Sequence, residues 1–175
     1  MYCKNFILFF IFFLSSLFYN VEAETVEVDI TFTLHLFDDD KGIDLVGTPV
    51  QIFEDDVLRK KLFTGEKGIT KFYCKIDKQY KIKFPPQNNY VEKLIIIDAR
   101  NIDLQNWKYK KTPQVSLKYD VDVRLLMQNG ECKDFSFLKE EPVMYLKYDT
   151  EYDDFHDFST NILAEKIKGE RKKKC

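Results

Sequence analysis

Val26-Glu27-Val28-Asp29-Ile30-Thr31-Phe32-Thr33-Leu34-His35-Leu36 alternates apolar and polar residues without a break. Side chains on an extended chain point to opposite faces in turn, so period two over this length predicts a strand with one dry and one wet face. His35 falls in the wet set, which makes it a solvated strand residue and not a catalytic one. Asp38-Asp39-Asp40-Lys41-Gly42 then ends the alternation as a turn.

Further short strands follow at close intervals. Val46 to Phe53 reads as one and Val57 to Phe63 as the next, with Asp55-Asp56 turning between them. Gly65-Glu66-Lys67-Gly68 turns the chain into Ile69 to Ile76. Tyr80, Ile82 and Phe84 alternate with Lys81 and Lys83 until Pro85-Pro86 stops the run. Tyr90 to Ile97 contains Leu94-Ile95-Ile96-Ile97, apolar on both faces, which suits a central strand. Val115, Leu117, Tyr119, Val121, Val123, Leu125 and Met127 alternate with polar residues as a second strand with one wet face.

Seven strands joined by short turns, with no helical period between them, predict a mainly β, seven-stranded antiparallel sandwich. A parallel sheet would need crossovers of about a dozen residues, longer than these connections. The one long connection runs from Ala99 to Gln114, with Trp107 expected as a lid over one end of the sandwich.

The last quarter of the chain changes character. Met144, Leu146 and Tyr148 alternate after Pro142 as a short added strand. Asp153 or Asp157 is placed to cap a terminal helix with an apolar stripe of Phe155, Phe158, Ile162, Leu163 and Ile167. Gly169 is expected to end it, and Lys166, Lys168 and Arg171 to Lys174 suit the carbonyl end of its dipole.

Residues 1–23 read as an address. Lys4 precedes an apolar run from Phe6 to Leu14, continued to Phe18, and Val21-Glu22-Ala23 offers small residues at −3 and −1 to a signal peptidase. The alternative, an uncleaved N-terminal anchor, needs an apolar run of about 20 residues. The expected organisation is therefore a signal peptide at 1–23, a sandwich at 24–130, an extension with the helix at 131–168 and a basic tail at 169–175.

Composition sets limits on function. The 175 residues allow one domain, and 45% apolar residues suffice for a core. Lys+Arg at 27 against Asp+Glu at 29 leaves a net charge of -2, which argues against a nucleic-acid binder. Export permits disulfides, but Cys74, Cys132 and Cys175 are odd in number and none sits in a C-x-x-C pair. Cys74 reads either as a partner for Cys132 or as a small buried apolar residue.

Several motifs in order resemble a known family. Leu45-Val46-Gly47-Thr48-Pro49-Val50-Gln51-Ile52 is similar to the second-strand motif of the carboxypeptidase regulatory-like domain. Thr64, Gly68 and Phe72 match its T-x-x-x-G-x-x-x-F spacing. Tyr80 to Phe84 and Tyr90 to Asp98 are similar to its later strands, and Asp98-Ala99-Arg100-Asn101-Ile102 resembles an extension seen in bacterial envelope proteins. The resemblance covers roughly residues 26–127 and implies a transthyretin-like (prealbumin-like) sandwich without catalytic zinc ligands. In physical terms Gly68 is expected to take a positive φ, Thr64 to bond back to its turn, and Tyr80 and Tyr90 to bury their rings beneath polar hydroxyls.

Little in the chain suggests catalysis. No G-x-S-x-G elbow surrounds Ser116, Ser136 or Ser159, and no H-E-x-x-H is present. His156, among Asp153, Asp154 and Asp157, reads as a solvated or capping residue. Carboxylates are too numerous for counting to single out a glycosidase pair. Asp38, Asp39, Asp40 and Asp44 read as a solvated turn, with a Ca²⁺ site as the alternative.

The expected function is that of a non-catalytic exported module, periplasmic or outer-membrane-associated, acting by protein–protein or surface contact in a bacterial cell-envelope assembly. No catalytic, metal or cofactor-binding residues and no cofactor are expected. An envelope or outer-membrane protein is the expected partner, through sheet edges or the Ala99–Gln114 connection. Lys166 to Lys174 is also suited to peripheral contact with an anionic membrane, though such a run reads equally as a solvated terminus. The alternative function is a carbohydrate- or calcium-binding module, with Trp107, Tyr109 and Tyr119 as a stacking platform.

Overall fold

The computed structural model describes residues 27–104, 114–128, 133–159 and 161–173. The first strand, β1 (Glu27–Asp38), carries Ile30, Phe32, Leu34 and Leu36 on its dry face, and all four are wholly buried. Then come β2 (Pro49–Glu54), β3 (Val57–Phe63), β4 (Ile69–Cys74), β5 (Gln79–Phe84), β6 (Lys93–Asp98) and β7 (Gln114–Leu125). Each of the seven expected strands is present. Two short strands, β8 (Met144–Asp149) and β9 (Asp154–Asp157), and one helix, α1 (Asn161–Lys172), complete the described chain.

The strands form two layers. A short sheet has the order β4-β1-β7, and a long one has β3-β2-β5-β6-β8-β9. Val50 and Ile52 from β2, Ile82 and Phe84 from β5, and Ile95 and Ile97 from β6 meet the dry face of β1 between the layers. Each such side chain contributes about 1.5–3 kcal/mol by leaving water, so the alternation itself drives the layers together.

Two ladders correct the all-antiparallel expectation. β1 runs parallel to β7 from the pair Glu27/Gln114 to the pair Asp38/Leu125, and β6 runs parallel to β8. The other ladders are antiparallel. No crossover helix is needed, because the chain leaves one sheet, runs through the other and returns. Between β6 and β8 that excursion is β7.

The C-terminal region also departs from expectation. Asp154–Asp157 pairs antiparallel with β8, so Phe155 belongs to a strand and not to a helical stripe. Phe155 packs edge-on against Phe32, Tyr119 and Tyr148, with centroids 5.1–5.4 Å apart. α1 starts at Asn161 and continues through Gly169. Around its last turn Lys173 pairs with Glu170 (2.6 Å) and Arg171 with Asp39, against a glycine penalty of about 1 kcal/mol. Leu163 and Ile167 dock α1 on a second small core with Val91, Leu126, Phe135 and Leu138.

Turn chemistry accounts for the joins. Gly68 takes φ +64, as expected, and a methyl there would collide with the Leu36 carbonyl oxygen. Thr64 does not bond into its own turn. Its hydroxyl instead donates to the Leu45 carbonyl and accepts the Thr48 amide at 2.9 Å, tying the start of β2 to the end of β3. No helix among the described residues is long and apolar enough to cross a membrane.

Candidate functional site

Among the described residues four strands lie at sheet edges, and they differ in how well they are defended. Unpaired edges offer rows of N–H and C=O groups to other chains, and proteins blunt them with brevity, charge or bulges. β9 is only four residues long. β3 carries Arg59, Lys60 and Lys61, and its pairing with β2 shifts register between Ile52 and Phe53. β4 is six residues long and carries exposed Lys71. β7 is twelve residues long, and beyond it the short sheet has no further strand among the described residues.

The two faces of β7 make this edge usable. On its wet face Lys118, Asp120, Asp122 and Arg124 follow one another, all exposed, with His35 on β1 lying 3.9 Å from Asp122. On its dry face Val115, Val121, Val123 and Leu125 are buried, but Leu117 and Tyr119 in the middle are only half-buried. Tyr119 lies 5.1 Å from both Phe32 and Phe155, ring to ring. Leu117 and Tyr119 are thus the two positions at which the apolar cover of β7 is incomplete.

The carboxylates singled out by sequence are already engaged. Buried Asp38 accepts the Asp40 and Lys41 amides at 2.9 and 2.7 Å and the Tyr90 hydroxyl at 2.7 Å. Burial pushes its pKa up, but the Tyr90 hydroxyl and the two turn amides outweigh this and hold it below the usual range. Burial, with Asp38 as acceptor, pushes Tyr90 up to about 12. Asp39 pairs with Arg171 and lies 4.0 Å from Arg124. Asp38 and Asp39 thus close the turn and anchor α1, and no group of three potential metal ligands gathers among the described residues.

The remaining candidates stand apart. His156 is exposed on β9, opposite Lys147 and 5.1 Å from the Tyr152 ring. Ser159 donates to Asp157 at 2.9 Å, Ser136 sits in a 3-10 turn and Ser116 lies on the wet face of β7. The Tyr80 hydroxyl accepts the Lys75 amide at 2.8 Å and donates to Glu54 at 3.2 Å. Cys74 is a free, buried thiol. Trp107, Tyr109, Cys132, Cys175, Lys174 and the 1–23 segment lie outside the described residues. Sequence reasoning picked out β7 as a strand with one wet face but not as an edge; its one local signal, a mixed-charge wet face, is shared by many interior strands.

No family model and no curated protein matches the chain. Among solved structures it is similar to the Bacillus anthracis TIE protein, at 19% identity and TM-score 0.41, over 57% of this chain and 18% of that one. It is also similar to the major pilin SpaD of Corynebacterium diphtheriae (13%, TM-score 0.40, covering 58% and 31%). A third is the minor pilin GBS52 of Streptococcus agalactiae (14%, TM-score 0.36, covering 58% and 45%). The chain thus spans between about a fifth and just under half of these proteins' lengths. At these scores the likenesses are of strand arrangement and nothing more.

Proposed function

We propose that this chain is an exported, non-catalytic binding module of a bacterial cell envelope that accepts a strand of a partner protein along the open edge of β7. The observation that carries this reading is the edge itself: a twelve-residue strand, last in its sheet among the described residues, whose dry face is only half-covered at Leu117 and Tyr119. An added strand would satisfy the outward backbone groups of β7 and complete the cover over those two side chains. The buried carboxylates support the same reading, because Asp38 and Asp98 are each bound by several donors that shape turns and strand ends.

Purification of the chain from native membranes is expected to recover a stable partner. Leu117→Lys places an inward charge on the edge, the device natural edge strands use against pairing, and should release that partner while leaving the circular dichroism spectrum unchanged. A protein that elutes as a free monomer from every preparation, or a partner retained by the Leu117→Lys variant, would overturn the reading.

A further inference from the structure

Lys93 opens β6 in phase with Ile95 and Ile97, so the alternation that sends those side chains into the core also turns a lysine inward. It is only 6% exposed. Its ammonium donates to the carbonyl oxygen of Arg124 on β7, in the opposite sheet. Among the described residues no carboxylate forms an ion pair with it, and the charge that acts on it is that of Arg124, also positive. A buried charge without an opposite charge is costly. Burial, reinforced by Arg124, lowers its pKa to about 8.

Lys93 stands at the wall of a cavity of about 330 Å³ between α1 and the sandwich. Arg124, Arg171, Asp39 and Asp122 also line it. Asp39 pairs with Arg171 and lies 4.0 Å from Arg124, while Asp122 lies 3.9 Å from His35 on the wet face. Three cations against two carboxylates leave one positive charge in excess, and Lys93 is the cation without a counter-ion. Val143, Met144 and Ile167 give the cavity an apolar wall.

We propose that this cavity binds a small organic monoanion, a carboxylate on a short apolar body, with Lys93 as its counter-ion and Val143, Met144 and Ile167 against its tail. The single excess charge matches one carboxylate and not a dianion. The volume lies at the small end of ligand pockets, which begin near about 300 Å³. Binding opposes the deprotonation of Lys93, so affinity falls as pH rises through about 8. The charged groups that line the cavity beside Lys93 are Arg124 and Asp122 on β7, Arg171 on α1 and Asp39 after β1, and of these Arg124 is the one whose charge acts on the amine.

The test is titration of the full chain with hexanoate and with its uncharged isostere hexanamide, followed by amide NMR shifts. Hexanoate is expected to move resonances of β6, β7 and α1, with hexanamide at least about tenfold weaker. Lys93→Met, which keeps length and apolar bulk, should weaken hexanoate about tenfold or more. Ala164→Trp, at the exposed mouth on α1, should block hexanoate without touching the core, and it decides the matter if Lys93→Met does not fold. Equal binding of acid and amide, hexanoate binding that survives Lys93→Met or Ala164→Trp, or no shift up to about 10 mM hexanoate would each overturn the proposal.

Discussion

Arg100 grips Asp98 through two parallel hydrogen bonds, Nε to Oδ1 at 2.8 Å and Nη2 to Oδ2 at 2.7 Å. The Tyr145 hydroxyl on β8 donates to the same carboxylate at 3.0 Å, so the end of β6 is fastened both to the loop after it and to its parallel neighbour. The Arg100 guanidinium is the main cause that holds Asp98 at a pKa of about 2 despite its burial.

That value sets a pH dependence. The folded pKa lies below the ordinary 3.8, so the stability this carboxylate contributes is complete above the unfolded value and is lost as pH falls toward about 2. The difference corresponds to roughly 2 kcal/mol. Asp98→Asn should lower the unfolding free energy by roughly 2 kcal/mol near neutral pH and by much less near pH 2. Urea unfolding at both pH values checks this, and equal losses at the two would refute it.

Gly68 and Gly42 share φ +64 but not their surroundings. At Gly42 a methyl meets open space, so Gly42→Ala should cost only the left-handed penalty of about 1–2 kcal/mol. Gly68→Ala adds a collision with the Leu36 backbone and should cost about 3 kcal/mol or more. Thermal unfolding of the two variants side by side separates backbone strain from crowding; similar losses would mean that the Leu36 contact is unimportant.

Burial, with Glu54 nearby, pushes the Cys74 thiol well above its ordinary range. A thiol without thiolate character and without access is inert. Iodoacetamide should leave Cys74 unmodified in the folded protein and alkylate it on unfolding without reductant. Failure to alkylate until reductant is added would favour the bridge to Cys132.

Phe155 touches three aromatic rings from three other strands. Phe155→Ala should cost about 2–4 kcal/mol, less than a fully enclosed phenylalanine because the ring is half-buried. Hydrogen exchange should quicken first in β8 and β9. Uniform quickening across β1 and β5 instead would place this cluster at the centre of stability and not at its margin.

The strands were legible because Ile30 to Leu36 and Val115 to Leu125 repeat at period two, and that period is a direct image of a sheet with one wet face. Pairing direction was not, because alternation looks the same whether Val28 meets its neighbour in parallel or antiparallel. Asp153 and Asp157 suited a helix cap equally well as a strand end, and the pairing with β8, with the aromatic contacts of Phe155, decides for the strand. The half-covered middle of β7 escapes sequence reading altogether, since it depends on what packs over and beside Leu117 and Tyr119 in three dimensions. Lys93 left one trace: a lysine in step with Ile95 and Ile97.

The placement of β1 has a consequence for how the molecule is made. It is made before every other described strand yet occupies the middle of its sheet, and its whole length awaits Gln114 to Leu125. Until that later segment arrives, Ile30, Phe32, Leu34 and Leu36 belong to a sticky, half-satisfied ribbon. Such long-range closure makes for slow acquisition of structure, and the apolar row of β1 stays exposed to other chains for as long as it lasts.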